Sequence, residues 1–567
     1  MGLNAALQMA GRSLEVFTTG IQVAGQNISN AATPGYIRQE LKLEPSGNFR
    51  SGGLILGTGV VVNGIRQQLD KFLETRIHSA NADSSASAAR NTIYKQLEGE
   101  LNELGDADLS TGLNSFLGAV QEAANHPEST SARQGLITQG QQLVDTISSL
   151  RTRVDQLRSD QSVKVDTLVG EANALIEQIA RLNPQITKLE SSGLLKSDAG
   201  ELRVQRYSAL TRLSEIIPTK FVEREDGSVD VFSGNEYVIL KNHTQQLTTQ
   251  ATVDRGVQVQ SISFTESTAA VPLTGGELAG VVQGRDNILG GFIDDLDTLT
   301  SNLIREFNQI HASGQGLIGF TSVTGTNPVY NTTTALSNAG LAFPPQHGSF
   351  QIKLANSTTG ATVTTTVPID LDGIDAANDT TLTSLRDYIN TNVSGVTASI
   401  TTDGFLRLNA ASGYEIKFGN DTSSVLTSLG INTFFQGTDS NTIQMNPVVL
   451  QDARYLATGQ GGGPSDGANA LAMSNFLKSP VAELQGQSLD GFYDSIVSAI
   501  AQGSSAESAA ATAYRDLRDS LLNQRDQTSG VSIDEETLKM LQFQRSFQAA
   551  ARIVSTVDEL YQVLLSM

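Results

Sequence analysis

Few side chains in this sequence are of types and spacings that do chemistry. The five histidines, His78, His126, His243, His311 and His347, are scattered along the chain. A zinc site or a general base would call for His-x-His, His-Glu-x-x-His or a similar fixed offset. No such spacing occurs, so each histidine reads as a surface or helix-end residue. The run Asp370-Leu371-Asp372-Gly373-Ile374-Asp375 has the acidic rhythm of a calcium loop. Its glycine stands at position 4 rather than 6, Ile374 fills position 5, and Thr381 stands where a bidentate Glu belongs. It reads as a turn. Thr458 to Pro464, TGQGGGP, is glycine-rich, but no Lys-Ser/Thr pair follows it. A flexible loop is expected there, not a phosphate cradle. The chain has 0 cysteines, which removes disulfides, thiol nucleophiles and thiolate metal sites together. The sequence thus assigns no catalytic residue, no metal and no cofactor, and the chain is expected not to be an enzyme. A hydrolase housed in a β region is the enzymatic alternative, and it lacks a visible acid, base and nucleophile.

The elements that would have to position any site tell more. At 567 residues the chain exceeds what one core supports. Its 59 acidic against 38 basic residues give a net charge of −21, which disfavours nucleic acid and anionic membranes as partners. The first residues, MGLNAALQMAGRSLEVF, lack a basic segment followed by a continuous apolar one, so no Sec signal is read there. No 18-residue apolar run is present, so nothing is expected to span a membrane.

The two ends carry strict heptad seams. In the first thirty residues Leu3, Leu7, Ala10, Leu14, Phe17, Ile21, Ala24 and Ile28 are spaced alternately by 4 and 3. Thr33-Pro34-Gly35-Tyr36 then reads as a type II turn. The last helix shows Met540, Phe543, Phe547, Ala550, Val554, Val557, Tyr561 and Leu564, again spaced by 3 and 4. Ser532-Ile533-Asp534-Glu535 looks like its capping box. Between the ends, a helical seam (Leu143, Ile147, Leu150, Val154, Leu157) skips one residue before resuming at Val165, Leu168, Ala172, Leu175, Ile179, Leu182, Ile186 and Leu189. Pro184 is expected to kink it. Period-two stretches occupy about 220–275 and 320–440.

The fold class expected is mixed α and β, multidomain and nested. Paired terminal coiled-coil helices (1–45 with 525–567) form a polymerisation domain. An elongated helical domain (46–205 with 280–320 and 440–524) follows, with β-rich insertions at 206–279 and 321–439. Isolated helices are marginal in water, and ordering each residue costs about 1–2 kcal/mol of backbone entropy. The terminal helices are therefore expected to be labile alone and to gain order when copies pack together. Their expected assembly interface is Leu3, Leu7, Leu14, Phe17, Ile21 and Ile28 with Met540, Phe543, Phe547, Val554, Val557, Tyr561 and Leu564. An ordinary intramolecular coiled coil explains the same periodicity.

Two stretches carry a resemblance. Ala24 to Tyr36, AGQNISNAATPGY, resembles the N-terminal signature of the bacterial flagellar rod, hook and hook-associated proteins, through Asn27, Ile28, Thr33, Pro34, Gly35 and Tyr36. The tail DEETLKMLQFQRSFQAAARIVSTVDELYQVLL looks like the matching C-terminal signature. Tyr36-Ile37-Arg38-Gln39, the long helical region and the chain length favour a subunit joining hook to filament over a rod or hook subunit. Gly25-Gln26 departs slightly from the pattern. The middle, from Asp379 to Gly419, resembles a small insert of some flagellins and hook-associated proteins. The resemblance implies export, unfolded, through the flagellar type III apparatus with an export chaperone, and an extracellular location in the flagellum. It also implies a ring-like layer of copies at the distal hook end, touching hook protein and a second hook–filament junction protein. Another axial flagellar protein, or a secreted adhesin acting through its β insertions, are the alternatives.

Overall fold

The structure is a computed structural model that describes residues 2–33, 35–51, 53–101, 108–191, 197–374 and 378–566. Pro34 and Asp375 lie outside the described residues. The chain opens with α1 (Gly2–Ser29), then β1 (Gln39–Pro45), β2 (Asn48–Ser51), β3 (Leu54–Gly57) and β4 (Val60–Gln67). Helices α2 (Lys71–Leu101), α3 (Leu109–Asn125), α4 (Thr130–Ser191) and α5 (Gly200–Ile216) follow. Next come β5 (Lys220–Glu223), β6 (Val229–Ser233), β7 (Glu236–Leu240), β8 (His243–Thr244), β9 (Leu247–Asp254) and β10 (Val257–Phe264). After α6 (Gly276–Gln283) and a π-helical turn (Gly284–Leu289) runs α7 (Gly290–Ala312). A third β region holds β11 (Ser322–Thr324), β12 (Gly348–Asn356), β13 (Thr362–Ile369), α8 (Leu382–Asn392), β14 (Val396–Ile400), β15 (Leu406–Ala410) and β16 (Tyr414–Gly419). The chain closes with α9 (Val425–Leu429), the short strands β17 (Phe435–Gln436) and β18 (Gln444–Met445), α10 (Pro447–Gln451), α11 (Ala468–Lys478), α12 (Leu489–Ser529) and α13 (Ile533–Ser566).

These elements form two compact units. One comprises Met1–Tyr94, Arg158–Asn287 and Ser504–Met567. Its principal core joins Val165, Leu168, Ala172, Ile176 and Ile179 of α4 to Leu210 and Leu213 of α5, and to Val231, Val238, Ile239 and Phe264 of the strands. Strands β5, β6, β7 and β8 make an antiparallel sheet in chain order, and β9 pairs with β10. Where the α4 seam skips a residue, the fold buries a cation. Arg158 is fully buried, donating to the carbonyls of Arg285 at 3.3 Å and Asp254 at 3.2 Å and pairing with the Asp254 carboxylate. Pro184 does not end α4, which continues to Ser191 with the proline ring exposed. Gly280 lets α6 lie against α2, since a Cβ there would sit 2.3 Å from the Ala86 carbonyl oxygen.

The other unit comprises Lys95–Leu157 and Ile288–Gly503. Its β part has two three-stranded antiparallel sheets, ordered β13-β12-β16 and β11-β15-β14. Phe350, Ile352, Leu385, Ile389, Leu408 and Phe418 fill the space between them and α8. Thr381 and Ser384 cap α8 reciprocally. The helical part is locked by Phe116, Phe307, Phe434 and Phe435, whose rings pack with centroids 4.7–5.9 Å apart.

The surface-or-helix-end reading needs correction at His78; His311 is at a helix end, as expected, but not at the surface. His78 lies within α2, 2% exposed and edge-on to Phe221 at 4.9 Å. His311 is in the last turn of α7 but is wholly buried, with Nδ1 2.8 Å from the Asn432 carbonyl and Nε2 accepting from Ala457 N at 3.1 Å. Burial of apolar neighbours around each ring explains why sequence spacing did not show that either is buried. The TGQGGGP segment is likewise pinned: the amides of Gln460, Gly461 and Gly462 all donate to Asp466 Oδ2, at 2.7, 2.9 and 2.7 Å.

Candidate assembly site

Helices α1 and α13 pack against each other along their length within their unit. The closest approach is at Gly20, where an added Cβ would lie 2.8 Å from three ring atoms of Phe543. Phe17 meets the same ring with centroids 6.5 Å apart. Near the ends, the Tyr561 hydroxyl donates to Asn4 Oδ1. On α13 the predicted seam faces α1: Ala550 and Val557 are buried, and Met540, Phe543, Val554 and Tyr561 are half-buried. Phe547 and Leu564 remain 37% and 57% exposed. On α1 the deepest positions are Ala10, Val16, Gly20, Val23, Ala24 and Asn27. The buried face is thus rotated from the predicted stripe. Leu3, Leu14, Phe17, Ile21 and Ile28 lie on its flank, half-buried, and Leu7 is exposed. The physical reason is Gly20: its missing side chain lets the Phe543 ring in, and an apolar count cannot register a glycine as a contact.

The signature residues converge on Asn27, which is wholly buried. Its Oδ1 accepts from the Tyr36 hydroxyl and from Gln39 N, both at 3.0 Å. Its Nδ2 donates to Gln39 O and to Glu536 Oε2, both at 2.9 Å. The side-chain amide therefore pairs with the Gln39 backbone as a neighbouring strand would, and uses its remaining hydrogen on α13. All four of its hydrogen-bonding positions are filled. The turn that returns the chain to this point has Tyr36 N donating to Thr33 O at 3.2 Å and Gly35 at φ +74°. That hydrogen bond and that φ are those of a type II turn.

Glu536, 2% exposed, is the hub on the α13 side. Arg38 donates to it through Nε at 2.9 Å and lies within 2.7 Å through its terminal nitrogen, while Lys539 approaches to 3.3 Å. Burial pushes the Glu536 carboxyl up, but the bonds from Asn27 and Arg38 and the charge of Lys539 outweigh it and hold the group below the usual range. Tyr36 is pushed up to about 12 by burial and by the Glu536 charge. Arg38 N also donates to Ser529 O at 2.9 Å, tying the stretch after the turn to the end of α12. The expected capping box is half made: Glu535 N donates to Ser532 Oγ at 3.4 Å, while the Glu535 carboxylate pairs with Arg38 at 3.0 Å. Sequence reasoning passed over Arg38, Gln39 and Glu536 as partners. Arg38 and Gln39 were visible directly after the turn, and Glu536 was hidden by the capping pattern one residue earlier.

Among the described residues, His347, Asp370 and Asp372 bring ligand atoms within 4.8 Å of one another, as a weak cation site would. His347 Nδ1 already accepts from Leu371 N at 3.3 Å and lies 3.4 Å from Asp370 Oδ1. His347 and Asp372 are exposed and Asp370 is half-buried.

Comparison with known proteins places this geometry. Residues 94–327 match the family described as the flagellar hook-associated protein FlgK helical domain. Residues 522–567 match the flagellar basal body rod FlgEFG protein C-terminal family, and 351–412 the flagellin hook IN motif. Flagellar hook-associated protein 1 of Salmonella typhimurium is 24% identical, with 100% of each chain aligned. Its counterpart in Escherichia coli is 22% identical over 100% of each chain. That of Bacillus subtilis is 24% identical over 99% of this chain and 97% of the relative. The flagellar hook junction protein FlgK from Burkholderia pseudomallei shares the fold, with TM-score 0.54 and 16% identity, covering 80% of this chain and 100% of that one. Over its full length this chain is thus similar to flagellar hook-associated protein 1 of these bacteria, with a C-terminal rod-type match on the very helix that closes onto Asn27.

Proposed function

We propose that the protein is a structural adaptor that polymerises at the distal end of the hook and joins hook to filament. The observation that carries this is the state of α13. Along its length Leu538, Leu541, Ile553, Leu560 and Val563 remain between 42% and 61% exposed although α1 already covers much of its seam. A single copy leaves this apolar face in water, and large exposed apolar stretches mark interaction surfaces. Neighbouring copies, packed side by side, supply the cover. In this reading Leu3, Leu7, Leu14, Phe17, Ile21 and Ile28 on α1, with Met540, Phe543, Phe547, Val554, Val557, Tyr561 and Leu564 on α13, divide their area between the helix pair and adjoining subunits. Asn27, Ile28, Thr33, Gly35 and Tyr36 fix the turn at its base. The neighbours above and below are hook protein and the second hook–filament junction protein. Delivery is by the flagellar type III route with its chaperone, to an extracellular position. No helix of the described residues is long and apolar enough to cross a membrane. The protein turns over no substrate in this reading.

The test is electron microscopy of cells lacking the gene. Hooks without filaments are expected, restored by the parent gene. Normal filaments in the deletion strain would refute the adaptor role.

A further inference from the structure

Beneath the signature turn lies a cavity of about 290 Å³, walled by Gly35, Ile37, Glu74, Tyr207, Arg212 and Arg525 among others. Of its polar groups, Arg212 is already bonded to Glu171 and Glu215, while Glu74 and Tyr207 stand apart from that network. Glu74, in the first turn of α2, is 4% exposed. Among the described residues no donor or cation comes within bonding distance of its carboxylate. The charged groups facing it are Arg525, which favours its ionised form, and Asp70 and Asp526, which oppose it. Arg525 itself bonds to Asp526 at 3.2 Å. The Tyr207 hydroxyl, on a residue 6% exposed, also makes no hydrogen bond among the described residues. One turn along α2, His78 has both ring nitrogens unpartnered. A carboxylate taken out of water without donors destabilises a fold, and the first-turn helix dipole offsets only part of that. Burial, the largest cause, holds the Glu74 carboxyl above its usual range, and a cation arriving from outside the chain would restore the ionised form.

The second observation is on α13. Leu538, Leu541, Arg545 and Arg552, spaced by 3, 4 and 7, form a stripe distinct from the seam that faces α1. Leu538 and Leu541 are 61% and 44% exposed, and both arginines are exposed with no ion pair among the described residues. Neither arginine reaches Glu74 within its own copy. The cavity wall includes Gly35, of the turn after α1, and Arg525, near the end of α12, the two segments that adjoin the terminal pair in sequence. We infer that this cavity is the receptor for an arginine of α13, Arg545 or Arg552, from a second copy, with the guanidinium held bidentately by Glu74 and capped by the Tyr207 hydroxyl. A planar fork of donors suits a carboxylate of this kind. The inference rests on the self-assembly proposed above and names the polar contact that would fix its register.

The experiment uses the full chain with Glu74→Gln, Arg545→Gln and Arg552→Gln, singly and with each arginine change added to Glu74→Gln. Assembly is read as the concentration needed for sedimentable polymer and as filament recovery in the deletion strain. Glu74→Gln should leave the monomer melting temperature unchanged or raised and weaken assembly about thirtyfold or more, the usual scale for truncating one side of a buried charge pair. One arginine variant should match it, and their combination should be no worse than either alone. Parent-like assembly of Glu74→Gln, or effects that multiply with both arginine variants, would overturn the inference. If Glu74→Gln misfolds, parent-like assembly of both exposed arginine variants overturns it by itself. Phe547→Asp separates the two readings: if it assembles normally, self-assembly through the terminal helices fails. If it blocks assembly while Glu74→Gln does not, only the arginine receptor fails.

Discussion

Replacing Asn27 with Ala is the sharpest test of how the two ends are held. The substitution deletes four hydrogen bonds in a site without solvent access. The bond to the Glu536 carboxylate is charge-assisted and worth about 1.5–3 kcal/mol, and the Gln39 N–H and C=O are left without their partner at about 1–3 kcal/mol each. Water entering the vacated space recovers part of this, so the net loss should be about 4 kcal/mol, at the low end of the sum. At 1.4 kcal/mol per decade that is a change of about a thousandfold in the local opening equilibrium. Hydrogen exchange reads it directly. Amides of 533–566 should lose about three decades of protection, while those of α7 in the other unit keep theirs. Asn27→Asp keeps the shape but points an oxygen at Glu536 and the Gln39 carbonyl, so at neutral pH it should be at least as damaging. If α13 in Asn27→Ala stays within about threefold of the parent, the amide is not what ties the ends together and the argument fails.

Other outcomes follow from the same packing. Phe547→Asp, at a position 37% exposed, should abolish incorporation into flagella while leaving the far-UV spectrum of the monomer nearly unchanged; motile cells would contradict it. Gly20→Val should push the Phe543 ring off α1 and loosen the terminal pair by about 1–3 kcal/mol, seen as faster proteolytic trimming of both ends, and Phe543→Leu should partly restore it. His311 is held neutral: burial lowers its pKa to about 4 from 6.5, partly offset by its bond to Asn432, with the charge of Arg133 lowering it further. A histidine with a depressed folded pKa costs nothing above the unfolded value. Its unit should therefore lose stability as pH falls from 6.5 towards 4, by up to about 3 kcal/mol, and calorimetry of His311→Gln should show a flatter acid limb.

Much of the fold was legible because periodicity reports burial directly. The α4 seam gave Leu143, Ile147, Leu150, Val154 and, after the skip, Val165, Leu168 and Ala172, all of which are buried. The skip itself was visible but its meaning was not. It is where Arg158 is buried against Asp254, and a cation paired across 96 residues leaves no local trace. Pro184 was legible as a kink site; its ring is exposed and α4 runs on through it to Ser191. His78 and His311 escaped for a related reason. Their burial depends on Phe221, and on Asn432 and Ala457, which approach only after strands and loops distant in sequence have packed.

The site shows the same division between what repeats and what is unique. Apolar residues at heptad spacing mark a helix that needs partners, and α1 and α13 are such helices. The register between them is set elsewhere, by one glycine that admits a ring and one asparagine whose four bonds reach three other residues. A seam of interchangeable leucines tolerates slipping by a heptad at modest cost. A saturated amide does not, because any slip strands Gln39 and Glu536 without partners in a dry site. That difference explains why the signature is polar although the interface is apolar. Asn27, Tyr36 and Glu536 choose the one alignment of the ends, and in that alignment Leu538, Leu541, Ile553, Leu560 and Val563 of α13 stay exposed.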